Sequence, residues 1–270
     1  MTASSPHERR VALLVSPHLD DVAFSCGGTA SILAEAGWDV VVATPFTRSV
    51  HPASGFALAC QQDKGLPDET DYMALRRDED RAACRSLGVR QVLLDLPEAP
   101  NRGYASAVAL FAAPRPDDTV AGPLAILLAE LMTVEQPSLV LAPQGCGRHV
   151  DHLRVIEAVL AVCGSGPAAP PIGFYRDTPY VIRDAAATPD PRIGSVATYP
   201  VVIPIDTAAC ARKQAAVACY RTQLPFQFGS ASAAADAIDA LMIREADGRT
   251  CDRAERLLLS DPSILSGIAA

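Results

Sequence analysis

The apolar positions of this chain fall into short unbroken runs separated by stretches with helical spacing. Val11–Val15 is uninterrupted and ends at Ser16-Pro17, which reads as a buried strand. Asp39–Phe46, Val89–Leu96 and Ser138–Pro143 read the same way. Between them lie helical patterns at Thr29–Ala36, closed by Gly37, and at Tyr72–Leu87, with Leu75, Ala82, Ala83 and Leu87 apolar and Gly88 as the stop. Two more follow, Pro123–Glu135 with proline at its start and His152–Cys163. Strand–helix–strand repetition predicts parallel pairing with right-handed crossovers. Gly173–Ile182 and Val196–Ile205 read as later strands, placed at a sheet edge by their prolines. Asp206-Thr207 can cap a helix reaching about Gln223, and the chain from Ser230 onward reads as mostly helical. The expected architecture is an open α/β three-layer sandwich with a mainly parallel sheet, formed by residues 1–270 as one domain.

Two long polar stretches, 47–71 and 97–122, interrupt this rhythm; loops of that length in a compact domain are usually functional. Gly164–Pro171 reads as a connecting loop.

Composition narrows the class. The chain has 270 residues, 49% hydrophobic and 20% charged, ample for a core. Net charge is −8 with no basic run, which excludes nucleic acid or an anionic membrane as the default partner. No apolar stretch is long enough to span a bilayer. Met1–Arg10 is polar without a signal-peptide core, so the expected compartment is cytoplasmic. The eight cysteines are scattered and form no CxxC pair, consistent with free buried thiols.

Candidate chemistry is concentrated at two strand ends. Of five histidines, three sit in Ser16-Pro17-His18-Leu19-Asp20-Asp21, after the first strand, and Gly147-Arg148-His149-Val150-Asp151-His152, after the fourth. Open parallel sheets bind ligands at the carboxyl ends of their strands, so both motifs can face one crevice. His18 and Asp21, three apart, suit two ligands on one turn, and His152 makes a third. Two nitrogens, one oxygen and an open position is the composition of a catalytic zinc site. Asp20 is then free to accept a proton from water. His149 can serve a developing oxyanion or leaving group, with Asp151 orienting it. No GxGxxG or GxSxG motif is present to support a dinucleotide fold or an α/β-hydrolase.

SPHLDDVAFSCGG together with GRHVDH resembles the PIG-L/LmbE-like family of zinc-dependent N-deacetylases, over about residues 10–165. The resemblance implies a Rossmann-like fold with the metal site at the carboxyl ends of the strands. It implies His18, Asp21 and His152 as zinc ligands, Asp20 as general base, and His149 with its partner Asp151 as oxyanion-stabilising or acid group. Arg76-x-x-Glu79 is similar to the family's R-x-x-E helix, which makes Arg76 a substrate-binding candidate; Tyr175–Tyr180 adds Asp177 at the rim of the site. Lys213 and Tyr220, seven apart on one helix face, suit packing as well as substrate contact. Where the commoner first motif reads AHPDDE, this chain has Ser16, Leu19 and Val22, so the ligand positions are kept while substrate identity does not transfer.

The expected activity is metal-dependent hydrolysis of an N-acetyl or related acyl group from an amino sugar or glucosaminyl conjugate, with Zn2+ or another divalent ion such as Fe2+ as cofactor. The expected partner is a small-molecule N-acylated sugar conjugate, with a homo-oligomer left open. Two alternatives remain: hydrolysis of another amide in secondary metabolism, and a non-catalytic carbohydrate-binding protein retaining the fold.

Overall fold

The computed structural model describes residues 9–163, 169–246 and 251–269; the polar start up to Glu8 and residues 164–168 of the expected connecting loop lie outside them. In chain order the elements are β1 (Val11–Val15), α1 (Asp21–Glu35), β2 (Asp39–Phe46), α2 (Gly55–Gln62), α3 (Tyr72–Leu87), β3 (Arg90–Leu96), α4 (Ala107–Leu110), α5 (Ala121–Glu135), β4 (Leu139–Pro143), α6 (Val150–Cys163), β5 (Ile172–Tyr175), α7 (Tyr180–Arg183), β6 (Tyr199–Pro204), α8 (Thr207–Val217), α9 (Leu224–Phe228), α10 (Ala231–Ala246) and β7 (Ala254–Leu259). The sheet runs β3-β2-β1-β4-β5-β7-β6. Pairings from β3 through β5 are parallel, and β7 lies antiparallel between β5 and β6.

The central strands are apolar on both faces because both faces are covered. On β1, Ala12 and Leu14 join a core with α1, α3, α8 and α10, while Val11, Leu13 and Val15 face a second core built with α5 and α6. These are the three layers of an α/β sandwich. The chain winds outward from β1 through β2 to β3, then crosses back to place β4 on the other side of β1. That reversal opens a crevice above the carboxyl ends of β1 and β4, where ligands bind in such sheets.

Four expectations need correction. Ile172–Tyr175 is a strand, but the segment expected to continue it to Ile182 turns at Asp177-Thr178 into the short helix α7, because Pro179 cannot donate to a ladder. The helix expected to reach Gln223 ends at Val217. The part read as mostly helical ends in β7, and the stretch 47–71 contains α2.

Helix α1 is broken inside. Cys26 has φ −130° and ψ 27°, outside helical values, so the helix resumes beyond it with a fresh N-terminus. The Glu255 carboxylate of β7 caps that second start, accepting from Gly28 N (3.0 Å), Thr29 N (2.7 Å) and Thr29 Oγ1 (2.6 Å). Lys213 Nζ of α8 reaches the same carboxylate at 2.6 Å and the Ser25 carbonyl at 3.3 Å. Position 28 must be glycine for this approach: a Cβ there would stand 2.9 Å from Glu255 Oε1 and 2.8 Å from Ile205 Cδ1.

Candidate metal centre

The turn after β1 is held by its own hydroxyl. Ser16 Oγ donates to the His18 carbonyl (2.6 Å) and accepts from Val22 N (3.0 Å), while Tyr220 OH lies 2.8 Å from the Leu19 carbonyl. Asp20 occupies the position before α1 where an aspartate usually caps the helix, yet its side chain makes no cap hydrogen bond. Its carboxylate instead lines the pocket, 3.4 Å from an Arg76 nitrogen. Burial raises the Asp20 pKa above the usual carboxylate value, against the pull of Arg76.

Asp21 Oδ2 accepts from His18 N (2.7 Å) and stands 3.3 Å from His18 Nδ1 and 3.2 Å from His152 Nε2. Burial opposes its charge, but His152 and His18 outweigh burial and hold Asp21 far below the usual range. The parallel pairing of β1 with β4 therefore brings His18 and Asp21 together with His152, more than 130 residues away. His152 is fully buried and its Nε2 makes no hydrogen bond, although a charged carboxylate oxygen faces it. An orphaned imidazole nitrogen beside a carboxylate and a second imidazole is the donor set that a divalent cation satisfies. His149 is adjacent: His18, His149 and His152 each offer a donor atom within 4.8 Å of the others.

The remaining nitrogens are held by carboxylates. His18 Nε2 lies 2.9 Å from Asp151 Oδ2, and His152 Nδ1 lies 2.5 Å from Asp177 Oδ1. In each case the nitrogen facing Asp21 is left for a ligand, the arrangement by which carboxylates fix the tautomer of metal-bound histidines. Burial lowers the pKa of His152, but Asp21 and Asp177 prevail and raise it to about 9. For His18 burial is likewise outweighed, here by Asp151 and Asp21, and its pKa stands well above the ordinary value.

Two sequence expectations change here. Asp151 orients His18 and not His149, whose Nδ1 lies 4.0 Å from the nearer Asp151 oxygen and accepts instead from the Asp151 backbone N–H at 3.2 Å. Asp177 is fully buried, bound to His152 and to Cys146 N, so it is not at the rim and cannot touch substrate. Arg76 is buried and lines the pocket; it pairs with Glu98 and Asp20 and leaves Glu79 to Thr222.

His149 is the polar group aimed into the pocket from the β4 side. Accepting at Nδ1 places its proton on Nε2. Burial, then repulsion from His18, lowers its pKa to about 3, so it is a neutral donor at pH 7. Phe111 from the end of α4 stands edge-on to His149 (centroids 5.3 Å) and to Tyr180 (5.8 Å). Tyr180 packs edge-on to His152 (5.5 Å), close against Gly147, where a Cβ would fall 2.1 Å from its ring. The cavity has a volume of about 280 Å3, and its outer wall includes Phe56, Leu110 and Phe226 from α2, α4 and α9. The stretches 47–71 and 97–122 thus help to wall the pocket. Glu98, Arg102 and Asp118, which lock this region, carried no local sequence signal, since their partners are distant in the chain.

An open α/β sheet with imidazoles and carboxylates converging at its switch point defines a protein with a candidate metal-dependent hydrolytic centre. The family described as PIG-L, GlcNAc-PI de-N-acetylase, matches residues 13–163, and the chain belongs to this family of deacetylases. It is 36% identical over 175 residues to a 2'-N-acetylparomamine deacetylase of Streptomyces fradiae, a match covering 64% of this chain and 59% of that one. A 2'-N-acetylparomamine deacetylase of Niallia circulans is 29% identical over 246 residues, covering 82% and 84%. The fold superposes on the zinc inhibited form of teicoplanin deacetylase Orf2 with a TM-score of 0.80 at 23% identity, covering 92% of this chain and 97% of that one. No described helix is long and apolar enough to cross a membrane.

Proposed function

We propose that this protein is a divalent-metal-dependent N-deacetylase, zinc being the first candidate ion, that hydrolyses the acetamide of an N-acetylated amino-sugar conjugate. The observation that carries the reading is the buried, unpartnered His152 Nε2 facing Asp21 Oδ2, with His18 Nδ1 beside the same oxygen. His18, Asp21 and His152 would hold the ion, since His18 Nδ1 and His152 Nε2 both face Asp21 Oδ2, at 3.3 and 3.2 Å, and the other nitrogen of each ring is already engaged. The bound ion supplies Lewis acidity, polarising the amide carbonyl and acidifying water.

The chain's own residues do the rest. Asp20, unspent as a cap and lifted by burial, takes the proton of the attacking water. Arg76 anchors Asp20 from the far side and so fixes its direction. His149, neutral with its proton on Nε2, donates to the oxygen that becomes negative as the carbonyl turns tetrahedral. The proton held by Asp20 then passes to the departing amine, releasing acetate. Phe111 and Tyr180 screen this centre from solvent on one side. That the curated relatives are deacetylases of 2'-N-acetylparomamine favours a small amino-glycoside as the acetyl donor. The 280 Å3 cavity accommodates a monosaccharide ring, with the rest of the conjugate emerging past Phe56 and Phe226.

Asp20→Asn tests the base. The variant is expected to bind zinc as the wild type does and to lose roughly 10²–10⁴-fold in kcat for acetate release from N-acetylparomamine-type substrates. Wild-type turnover by Asp20→Asn removes the assignment.

A further inference from the structure

We propose that Arg102 is a positioning residue for the metal centre, acting on His18 through Asp151. The inference rests on the metal-centre reading above and extends it into the segment after β3, which the sequence marks only as a long polar stretch.

Arg102 ends a short 3-10 turn at Ala99–Arg102, and its side chain is only 8% exposed. Its guanidinium is spent in three directions. One terminal nitrogen donates to Asp151 Oδ1 at 2.7 Å, and the same nitrogen with Nε forks onto Asp118 at 3.0 and 3.1 Å. The other terminal nitrogen donates to the Pro97 carbonyl at 2.7 Å. The guanidinium carbon lies 4.8 Å from the centre of the Phe46 ring, at the end of β2. Asp118 is fixed in turn by Tyr104 OH at 2.9 Å and Val120 N at 3.3 Å.

Asp151 is fully buried, so its charge needs a cation, and Arg102 supplies one in a fixed plane. With Oδ1 on Arg102 and Oδ2 shared between His18 Nε2 and Ala99 N (3.1 Å), the carboxylate cannot rotate. An ionised, immobile Asp151 accepts from His18 Nε2, which keeps a proton there and makes Nδ1, beside Asp21, the nitrogen left for a ligand. The chain of contacts is Tyr104–Asp118–Arg102–Asp151–His18. A lysine cannot replace it in full, because an ammonium lacks the fork that grips two carboxylates at once.

The test compares wild type, Arg102→Met and Arg102→Lys after chelation and reloading with zinc or cobalt(II), using competition against a chromophoric chelator. Arg102→Met is expected to bind zinc about 10–100-fold more weakly, in the range for removing an outer partner of a metal ligand. Its cobalt(II) visible spectrum is expected to shift, and at saturating zinc the KM for substrate is expected to stay at the wild-type value. Arg102→Lys is expected to fall between. Unchanged zinc affinity and an unchanged cobalt spectrum in Arg102→Met overturn the proposal even if the variant melts lower, because Arg102 then only anchors its loop. Where Arg102→Met does not fold, the same null result in Arg102→Lys overturns it. A wild-type protein that takes up neither ion fails the metal-centre reading itself.

Discussion

Replacing Lys213 by methionine should be among the most costly single changes outside the candidate metal site. Lys213 and Glu255 are buried, at 0% and 4% exposure, and meet at 2.6 Å. Removing one member of a buried pair leaves the other charge uncompensated, typically about 3–5 kcal/mol. In Lys213→Met the Glu255 carboxylate keeps its three donors from Gly28 and Thr29, each worth about 1.5–3 kcal/mol to a charged acceptor, so the loss belongs near the lower end. In Glu255→Gln the amide oxygen can still accept from Lys213 Nζ but brings no countercharge, and the amide NH2 replaces an oxygen that accepts from the Gly28 and Thr29 donors, so the loss belongs near the upper end. For a chain of this size, about 3 kcal/mol corresponds to a fall in Tm of roughly 6–12 °C. The assay is thermal unfolding of Lys213→Met, Glu255→Gln and the double variant by circular dichroism, with denaturant midpoints as a second measure. The double variant, having no unpaired charge, should lose less than the sum of the singles by at least about 1 kcal/mol. A Tm for Lys213→Met within 2 °C of wild type, or strict additivity, refutes the reasoning.

Asp177→Ala should weaken zinc binding about 10–100-fold while leaving the KM for substrate unchanged, as measured by chelator competition and steady-state kinetics. Phe111→Ala, at a position 43% exposed, should leave Tm unchanged and raise KM about 2–10-fold, the worth of one aromatic contact. In the metal-free protein His152 is raised from an ordinary 6.5 to about 9, and His18 shifts the same way. The stabilisation they bring is complete below about pH 6.5 and disappears as pH rises through about 9, so the Tm of chelator-treated protein should fall across that window. A flat or rising Tm there contradicts the electrostatics of the site.

Much of the architecture could be read from the sequence because strands covered on both faces are continuous apolar runs, and β1, β2 and β4 are such runs. β7 escaped notice for the opposite reason: Ala254-Glu255-Arg256 opens it with two charged residues, and only the tertiary structure shows Glu255 turned inward to cap a broken helix. Pro179 misled differently, since an aromatic, apolar segment around it resembles an edge strand until Asp177 is seen turning inward to His152. At the site, His18, Asp20, Asp21, His149 and His152 were legible because each belongs to a short motif at a strand end. The partners of Asp151 and Asp177 were not. Those pairings join residues 133 and 25 positions apart, and neighbours in sequence gave the wrong partner for Asp151.

The placement of β7 sets a timetable for making the protein. Every other strand precedes it, yet it occupies an interior position between β5 and β6 and delivers the Glu255 cap to the helix that starts with Asp21. On the ribosome, a nascent chain can already hold both histidine-bearing strand-end motifs while the helix that follows the first of them lacks its internal cap. The internal cap of α1 therefore forms only once residues 254–259 are in place, so the last strand to leave the ribosome both closes the gap between β5 and β6 and completes a helix begun more than 200 residues earlier.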